Sequence, residues 1–313
     1  LFPYTTLFRS GTRQRVDHSV VAQIEKLDNG PLISTVKITK PGYRTKSITT
    51  YISVTALSPK IYITNLLDRP QSRKKEGLYF QFPFQIPAGR VKYDTIFGSA
   101  RIDQDQLPGA NRNFIPATRW VDVSNHEVGV SVTLLDAPLL KSGILTRDPI
   151  RIGPPRVCGW LRDSEYTGTI YSYIMNNYWM TNYKADQPGK TLFRYVFHPH
   201  HHFVEEITQR CALEVMQPLL VVSHPSNITK MTASLRQFPF QITHSAVVIT
   251  SVKYIRGGYH VRLYNPAETP IHCDIQVQKN YGLHVLSPQK NHTLHDHTVE
   301  LSPHETILLL ITK

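Results

Sequence analysis

The sequence predicts a mostly β protein, in which a large, supersandwich-like β-sandwich domain with one short helix precedes a small C-terminal β-sandwich. Short runs of alternating apolar and polar residues recur along the chain, and this two-residue period is typical of half-buried strands. Proline is the second observation: its 22 copies outnumber the 16 glycines, and proline breaks helix interiors. With 313 residues, 41% of them hydrophobic, the chain can bury a substantial core.

The predicted strands of the large domain are short and separated by turns. In the first of them Val36 and Ile38 point to one face, whereas Lys37 and Thr39 point to the other. The runs that predict strands are 32–40, 47–56, 60–64, 77–84, 120–123, 128–135, 169–173 and 192–197. Clusters of Pro, Gly, Asn and Asp, such as 107–111 and 186–189, predict the turns between them.

One segment departs from the strand period. Its apolar residues recur at every fourth position, and they are Phe203, Ile207, Cys211 and Val215. This spacing predicts an amphipathic helix of about three turns with those residues on its buried face. Pro218 ends the helix, because proline cannot continue it.

The last part of the chain returns to short strand-like runs at a spacing of roughly 8 to 12 residues, which is typical of a β-sandwich. These runs are 245–254, 259–264, 272–277, 282–286, 297–301 and 305–312. We place the boundary between 239 and 245, so the predicted domains are 11–240 and 241–313.

The charge of the chain is strongly positive, since 35 Lys and Arg against 23 Asp and Glu give +12. A basic chain is typical of nucleic-acid binding, but the cations are spread out and the only dense run is Arg73-Lys74-Lys75. No zinc-finger, basic-zipper or RNA-recognition motif is present. We therefore expect no nucleic acid as a partner and keep polyanion binding as an alternative. The longest apolar runs are far shorter than a membrane span.

The three cysteines, Cys158, Cys211 and Cys273, are far apart in the sequence and form no CxxC pair. Their number and spacing imply neither a zinc site nor a disulfide framework. We interpret them as reduced thiols that pack as small hydrophobic groups.

Two aspartates offer a candidate carboxylate pair. Asp103 and Asp105 are two positions apart, so on a strand they would share a face and approach the separation of about 5 Å that retaining glycosidases use. The alternative is a polar strand end before the turn at Pro108-Gly109. In that interpretation the carboxylates solvate a loop or bind sugar hydroxyls.

The histidine-rich run Phe197-His-Pro-His-His-His-Phe203 is a second candidate site. Dense imidazoles can bind zinc or copper, and the histidines at 198, 200, 201 and 202 would be the ligands. A solvated turn between a strand and the helix is the simpler interpretation, and we assign no metal to this run.

A third candidate is the segment 171–183, with four tyrosines, one tryptophan and three asparagines. Aromatic rings offer flat apolar faces, and Asn amides offer paired donors and acceptors. This mixture suits a pocket for a neutral sugar, but it is equally typical of an aromatic core strand followed by a turn.

The run YSYIMNNYWMTNYKADQPGKTLFRY (171–195) resembles the C-terminal half of glycoside hydrolase family 38, the α-mannosidases, especially its bacterial-type members. Further similar runs are EGLYFQFPF (76–84), RIDQDQLPGANRNF (101–114), RWVDVSNHEVGVSVTLLDAPL (119–139), IRGGYHVRLYNP (255–266) and VELSPHETILLL (299–310). The resemblance covers residues 11–313.

The resemblance implies a retaining, zinc-dependent α-mannosidase. The catalytic zinc ligands and both catalytic carboxylates of this family lie in an N-terminal part that we expect to be missing, so no catalytic residue is assigned here. The family's C-terminal region closes one side of the sugar site. By that likeness the expected substrate contacts are Asn176, Asn177 and Trp179, with Arg101, Asp103 and Asp105 behind them.

Residues 1–10, LFPYTTLFRS, are the translation of a short-read sequencing adapter, and we interpret them as an assembly artefact. We expect a soluble protein, with the cytoplasm favoured, and leave the oligomeric state open. Its expected partners are a mannose-containing carbohydrate and the missing N-terminal domain in cis, and no cofactor is assigned to this part. The alternative is a stand-alone carbohydrate-binding or structural β-module without catalysis.

Overall fold

The computed structural model describes residues 4–9, 14–16, 22–42, 44–74, 76–96, 98–143, 145, 167–177, 184–220, 238–286, 291–293 and 297–313. These residues divide into two compact units, Leu1–Phe203 and Val204–Lys313. Almost all regular structure in them is β-strand, and the described residues include a single α-helix. The predicted fold class, mostly β with one short helix, is confirmed.

The first unit consists of fifteen strands in the described residues. In chain order they are β1 (Tyr4–Arg9), β2 (Gln14–Val16), β3 (Gln23–Asn29), β4 (Ile33–Gly42), β5 (Thr45–Thr55), β6 (Ser58–Arg69), β7 (Glu76–Pro83), β8 (Arg90–Thr95), β9 (Gly98–Arg101), β10 (Ile115–Pro116), β11 (Trp120–Ser124), β12 (Gly129–Leu134), β13 (Leu139–Ser142), β14 (Thr169–Asn176) and β15 (Gly189–His200).

These strands form two sheets. A six-stranded sheet has the order β10-β13-β14-β7-β1-β2, and a nine-stranded sheet has the order β3-β4-β5-β6-β15-β12-β11-β8-β9. Every pairing between neighbouring strands is antiparallel. Strand β1 lies within residues 1–10, and the interpretation of those residues as an artefact stays a prediction.

The core of the first unit lies between the two sheets. Alternation along β7 directs Leu78, Phe80 and Phe82 inward, and all three are buried. The Phe82 ring meets Tyr195 and Phe197 of the other sheet, with centroid distances of 4.9 and 5.1 Å and rings close to perpendicular. Aromatic pairs favour this edge-to-face arrangement, which adds to the free energy gained by burying their apolar surface.

The second unit begins with helix α1 (Glu205–Met216) and continues as strands. They are β16 (Phe240–Ile242), β17 (Val248–Ile255), β18 (Gly258–Tyr264), β19 (Ile271–Val277), β20 (Gly282–Leu286), β21 (Asn291–Thr293), β22 (Thr298–Leu301) and β23 (Thr306–Thr312). They form a three-stranded sheet, β16-β19-β22, and a five-stranded sheet, β17-β18-β23-β20-β21. Buried residues of both sheets, including Ile275 and Leu309, share one hydrophobic core, so this unit is a small β-sandwich.

The helix is present where the sequence predicts it, but its buried face differs from the prediction. The buried residues are Glu205, Thr208, Gln209 and Ala212, which follow the i, i+3, i+4, i+7 pattern of one helix face. Ile207 is 49% exposed, so the expectation that every fourth residue from Phe203 to Val215 faces the core is wrong. A single row at every fourth residue is narrower than the face that a packed helix buries.

The helix also belongs to the second compact unit, whereas the sequence places it in the large domain. Within that unit the Arg210 guanidinium donates a hydrogen bond to the Val247 carbonyl at 3.0 Å. The compact units meet at Phe203–Val204, before the boundary at 240–241 that the sequence predicts. The family-domain limits 11–240 and 241–313 stay predictions.

Candidate functional site

The end of strand β14 positions the asparagine pair of the candidate sugar site. Tyr173 pairs with Tyr79, but the next pairs are Met175 with Leu78 and Asn176 with Gly77, so a β-bulge interrupts the register between Tyr173 and Met175. A bulge shifts the following residues to the opposite faces. Met175 therefore turns into the core, where it is 7% exposed, and Asn176 lies on the outer face of the six-stranded sheet.

Asn177 anchors the chain directly after this strand. Its backbone N–H donates to the Glu76 carbonyl at 2.9 Å, and its side-chain amide donates to the Ser72 carbonyl at 2.8 Å. The residue is 4% exposed. Asn177 thus ties the end of β14 to the connection between β6 and β7, while Asn176 is half-buried on the outer face.

Beneath Asn177 lies a buried carboxylate, Glu76, whose side chain has no exposed surface. Alternation along β6 and β7 directs both Arg69 and Glu76 inward, where the Arg69 guanidinium donates to the Glu76 carboxylate. Arg44 donates to its second oxygen at 3.1 Å. Arg69 also contacts the Met175 sulfur at 3.7 Å. A buried carboxylate between two guanidiniums fixes the strand ends that meet here.

A second carboxylate, Asp186, holds the chain that enters β15. Gln71 donates to it at 2.7 Å, and the cations of Arg73 and Lys184 lie 3.6 and 3.4 Å from its oxygens. The Gln71 hydrogen bond lowers the pKa of Asp186 most, and the two cations lower it further against the opposing effect of burial. Asp186 therefore joins the β6–β7 connection to the segment before β15.

Aromatic rings cover the outer face beside Asn176. Tyr79 and Tyr173 stack with centroids 4.5 Å apart and planes at 12°, and Phe114 stacks on Tyr173 at 5.1 Å. A side chain at Gly77 would come within 3.0 Å of the Tyr173 ring, so glycine lets this ring lie across the strand. Tyr171 is also buried here, and burial raises the pKa of its hydroxyl. Of the segment 171–183, the described residues 171–176 are thus an aromatic strand with its polar end at Asn176.

The second group of predicted residues lies in the nine-stranded sheet. Strand β9 ends at Arg101, so Asp103 and Asp105 follow it in a turn. The Arg101 backbone N–H donates to the Asp105 carboxylate at 2.7 Å, and the guanidinium lies 3.2 Å from it. Burial alone would raise the pKa of Asp105, but the hydrogen bonds from Arg101 outweigh this and lower it. The interpretation of both aspartates as a strand pair sharing a face is therefore wrong.

The histidine run combines the end of a strand with a turn. His198 and His200 lie in β15, whereas His201 and His202 follow it and are exposed. His200 Nε2 is 2.7 Å from the buried Asp122 carboxylate, which also accepts hydrogen bonds from Ser124 at 2.5 Å and Ser131 at 2.7 Å. His200 therefore serves as a partner of a buried carboxylate within the sheet.

Among the described residues, no group of three or more His, Cys, Asp and Glu side chains lies close enough to hold a metal ion. These residues therefore do not fit the zinc that the family resemblance implies. Cys273 is a buried free thiol and Cys211 a half-buried one, and burial raises the pKa of Cys273. Trp179 and Cys158 lie outside the described residues.

The sequence prediction missed the residues that hold this site in place. Arg69, Glu76 and Asp186 do not stand out in composition, and Asp186 meets Gln71 from 115 positions away in the chain. The sequence does carry one indication of this pair. Arg69 and Glu76 stand at alternate positions with apolar residues that face the core, and a charged residue on the buried face of a strand requires a partner.

Residues 7–137 match the sequence family of the "Glycosyl hydrolases family 38 C-terminal domain". The resemblance to the C-terminal region of family 38 is confirmed. No curated protein matches the chain significantly.

Two solved structures from Enterococcus faecalis share the fold of the whole chain. A protein of glycosyl hydrolase family 38 is 13% identical with a TM-score of 0.71, and this chain covers 40% of it. An alpha-mannosidase of strain V583 is 14% identical with a TM-score of 0.68, and this chain covers 38% of it. Both alignments cover 100% of this chain, so it spans about two fifths of the length of these two proteins.

The helix of the described residues is too short and too polar to cross a membrane.

Proposed function

We propose that this chain is the C-terminal part of an α-mannosidase that hydrolyses α-mannosidic bonds, and that the end of β14 contributes one wall of its sugar-binding site. The match of residues 7–137 to the family 38 C-terminal domain supports the proposal most. The shared fold with family 38 proteins of more than twice this length supports a catalytic partner domain in cis.

The wall that we propose is built around Asn176. Its amide offers a donor and an acceptor, the pair that adjacent sugar hydroxyls require. Asn177 and Glu76 would act as positioning residues, because their hydrogen bonds fix the strand end on which Asn176 stands. A sugar held in one orientation reacts faster, since misplacement by about 1 Å can cost about 10²-fold in rate.

Zinc and the two catalytic carboxylates of a retaining mechanism belong, in this proposal, to the catalytic domain. The described residues of this chain do not form a metal site, so no step assigned to them uses the ion. Their part is to bind the sugar, orient it and limit the access of water. Arg101, Asp103, Asp105 and Trp179 remain proposed members of the wider sugar site.

The test is to express the complete open reading frame that encodes this chain and to assay it with an aryl α-mannoside. We expect Asn176→Ala to lower kcat/KM by about 10²-fold, whereas Asn29→Ala, on the exposed strand β3, leaves it unchanged. Unaltered kinetics for Asn176→Ala would remove the residue from the sugar site.

A second measurement separates the enzyme from the binding module. We expect residues 11–313 alone to hydrolyse no aryl α-mannoside, and zinc-dependent turnover by them would contradict this expectation. If the complete reading frame also lacks turnover while the chain binds methyl α-mannoside, the stand-alone carbohydrate-binding module is the correct alternative.

A further inference from the structure

We infer that the second unit carries a polysaccharide-binding surface of its own, on which exposed aromatic rings pack against the pyranose rings of a neutral sugar chain. We call Phe238, Phe240, Tyr254 and Tyr259 the aromatic end of this unit. The inference goes beyond the proposed function, because these residues take no part in the sugar wall at the end of β14.

The aromatic end is formed by the inner faces of both sheets of the second unit. In the five-stranded sheet Tyr254 pairs with Tyr259, two positions from Val261, which is fully buried in the core. In the three-stranded sheet Phe240 pairs with Val277 and is 8% exposed. Side chains two positions apart on a strand share a face. The apolar faces of both sheets therefore continue past the core and end in aromatic rings.

Tyr259 joins these rings into one cluster. Its ring centroid lies 6.0 Å from that of the buried Phe240. It also lies 6.1 Å from that of Phe238 and 5.0 Å from that of Tyr254. Within the described part of the chain, Phe238 and Tyr254 make no ring contact with each other. They are therefore two separate outer rings that share one half-buried neighbour.

The two outer rings are largely exposed to solvent. Phe238 is 60% exposed and Tyr254 66%, and the other aromatic side chains whose burial the structure describes are buried or half-buried. Exposing apolar surface to water is unfavourable, and apolar patches on a protein surface mark binding sites. The outer rings therefore offer an apolar platform on a fold that covers its other described rings.

The area of this platform favours a sugar chain over a protein partner. An aromatic side chain buries about 150 to 250 Å² when it is fully covered, so the exposed parts of two rings offer roughly 250 Å². A stable protein interface buries about 800 Å² on each partner. A pyranose ring is close to an aromatic ring in size, and one of its faces carries C–H groups that can pack against the ring.

Hydrogen-bonding groups border the platform. The Gln278 backbone N–H donates to the Pro239 carbonyl at 2.9 Å, and the Tyr281 N–H donates to the Gln278 carbonyl at 2.9 Å. A turn therefore lies beside the backbone that carries Phe238. Its residues Gln278 and Asn280 are exposed, and their amides offer both donors and acceptors. Sugar hydroxyls require both, whereas a purely apolar ligand would use neither.

Cations at the same end of the unit suggest a competing ligand. Arg256 lies in the turn between β17 and β18, Lys279 lies in the turn beside Phe238, and the Lys313 ammonium is 5.9 Å from the Tyr281 ring centroid. Aromatic rings among cations also suit single-stranded nucleic acid. Over 204–313, however, nine Lys and Arg stand against eight Asp and Glu, and 9 − 8 = +1 is far from the strong basic excess of nucleic-acid-binding domains. We therefore favour the neutral polysaccharide.

The test measures binding of the full chain by affinity electrophoresis in gels that contain soluble α-mannan or dextran, two neutral polymers of different pyranoses. We expect at least one polymer to retard the chain, and the retardation to be unchanged between about 50 and 200 mM salt, because no counterions are released. Tyr254→Ala should weaken the binding about tenfold, whereas Tyr254→Phe, which keeps the ring, should retain most of it.

The matched control is Ile255→Ala. Ile255 is 43% exposed and pairs with Gly258, so it points to the opposite face of β17. Its loss should leave the retardation unchanged, and circular dichroism checks that every variant is folded. A loss in Ile255→Ala equal to that in Tyr254→Ala would indicate general stickiness and contradict the inference.

Three further results would overturn it. The first is a chain that neither polymer retards. The second is retardation that persists in Phe238→Ala combined with Tyr254→Ala, which would place the polysaccharide elsewhere on the chain. In the third, oligothymidylate binds and the neutral polymers do not, with an affinity that falls steeply with salt, and the aromatic end then belongs to a nucleic-acid site. None of these results bears on Asn176, so the proposed sugar wall stands or fails separately.

Discussion

Two of the fully buried carboxylates of the first unit, Glu76 and Asp122, are held in different ways. Glu76, in the six-stranded sheet, lies between the guanidiniums of Arg69 and Arg44. Asp122, in the nine-stranded sheet, accepts hydrogen bonds from two serine hydroxyls and has one contact to His200. The first is embedded in permanent positive charge, and the second is satisfied mainly by hydrogen bonds.

This difference indicates why only one of the two regions is a candidate site. In the Glu76 region two guanidiniums share one carboxylate and fix the end of β14, whose last residue, Asn176, is partly accessible. The Asp122 carboxylate is held by two serine hydroxyls of β11 and β12 and by His200 of β15. Our proposed sugar wall uses the accessible polar residue beside Glu76, whereas a hydrogen-bonded network such as that of Asp122 mainly specifies the packing of the sheet.

The largest effect is expected for Glu76→Gln. The substitution leaves Arg69, which is 4% exposed, without a carboxylate, and removing one partner of a buried ion pair costs about 3 kcal/mol or more. Urea unfolding followed by circular dichroism would measure the loss.

The matched control for this variant replaces both partners. Arg69→Met combined with Glu76→Leu should recover most of the stability, because an apolar pair of similar volume avoids the buried charge. A double variant as unstable as Glu76→Gln would show that packing, and not charge, sets the cost.

A smaller loss is expected for Asp122→Asn, at about 2 kcal/mol. Asparagine replaces one of the two carboxylate oxygens with an NH2 group, which cannot accept a hydrogen bond, so at least one buried polar group around residue 122 loses its acceptor. Thermal unfolding would compare it with Ser124→Ala, which removes one of the three contacts and should cost about 1 kcal/mol. A loss that equals that of Glu76→Gln would erase the distinction between the two regions.

The sequence predicts most of the strands because alternation and turn residues are local signals. It also places the helix. Asn176 and Asn177 come from the family resemblance, and their part in a sugar site stays a prediction. The sequence does not predict the Glu76 and Asp122 networks, because each joins side chains of different strands whose pairing or packing is set only by the folded chain. Arg69 meets Glu76 across a connection, and His200 is 78 residues from Asp122.

The histidine run shows the same limit in another form. A dense set of imidazoles suggests a metal site. In the fold, His200 contacts the Asp122 carboxylate of a nearby strand, and His201 is exposed to solvent. The sequence pattern does not predict the bulge in β14 either. The bulge determines that Met175 faces the core and Asn176 does not.

Gly129→Ala tests how closely the Asp122 network is packed. A side chain at residue 129 would lie 2.3 Å from the His200 ring and 2.4 Å from the Ser124 side chain, so the network must shift. We expect a loss of about 1.5 kcal/mol, typical of overpacking. Gly30→Ala is the control, since its nearest neighbour is an ordinary contact at 3.6 Å. Equal stability of the two variants would contradict a rigid network.

The smallest effect concerns a third carboxylate, Asp136, which is partly exposed. Arg194 donates to both of its oxygens, at 2.9 and 2.8 Å, and its backbone N–H donates at 2.8 Å. Burial alone would raise the pKa of Asp136, but the hydrogen bonds and the charge of Arg194 outweigh it and lower that pKa. Because the folded value is lowered, this pair stabilises the fold above the ordinary carboxyl pKa of about 3.9.

That stability is lost as the pH falls through the lowered value of the folded protein. Side-chain exposures of 47% for Arg194 and 23% for Asp136 keep the contribution below about 1 kcal/mol. Urea midpoints at pH 5.5, 4 and 3 should therefore fall less steeply for Asp136→Asn than for the unaltered chain, and Arg194→Lys should lie between them. Parallel curves would show that even a bidentate pair contributes nothing once water reaches it, and that the stability of the other two carboxylates depends on their complete burial.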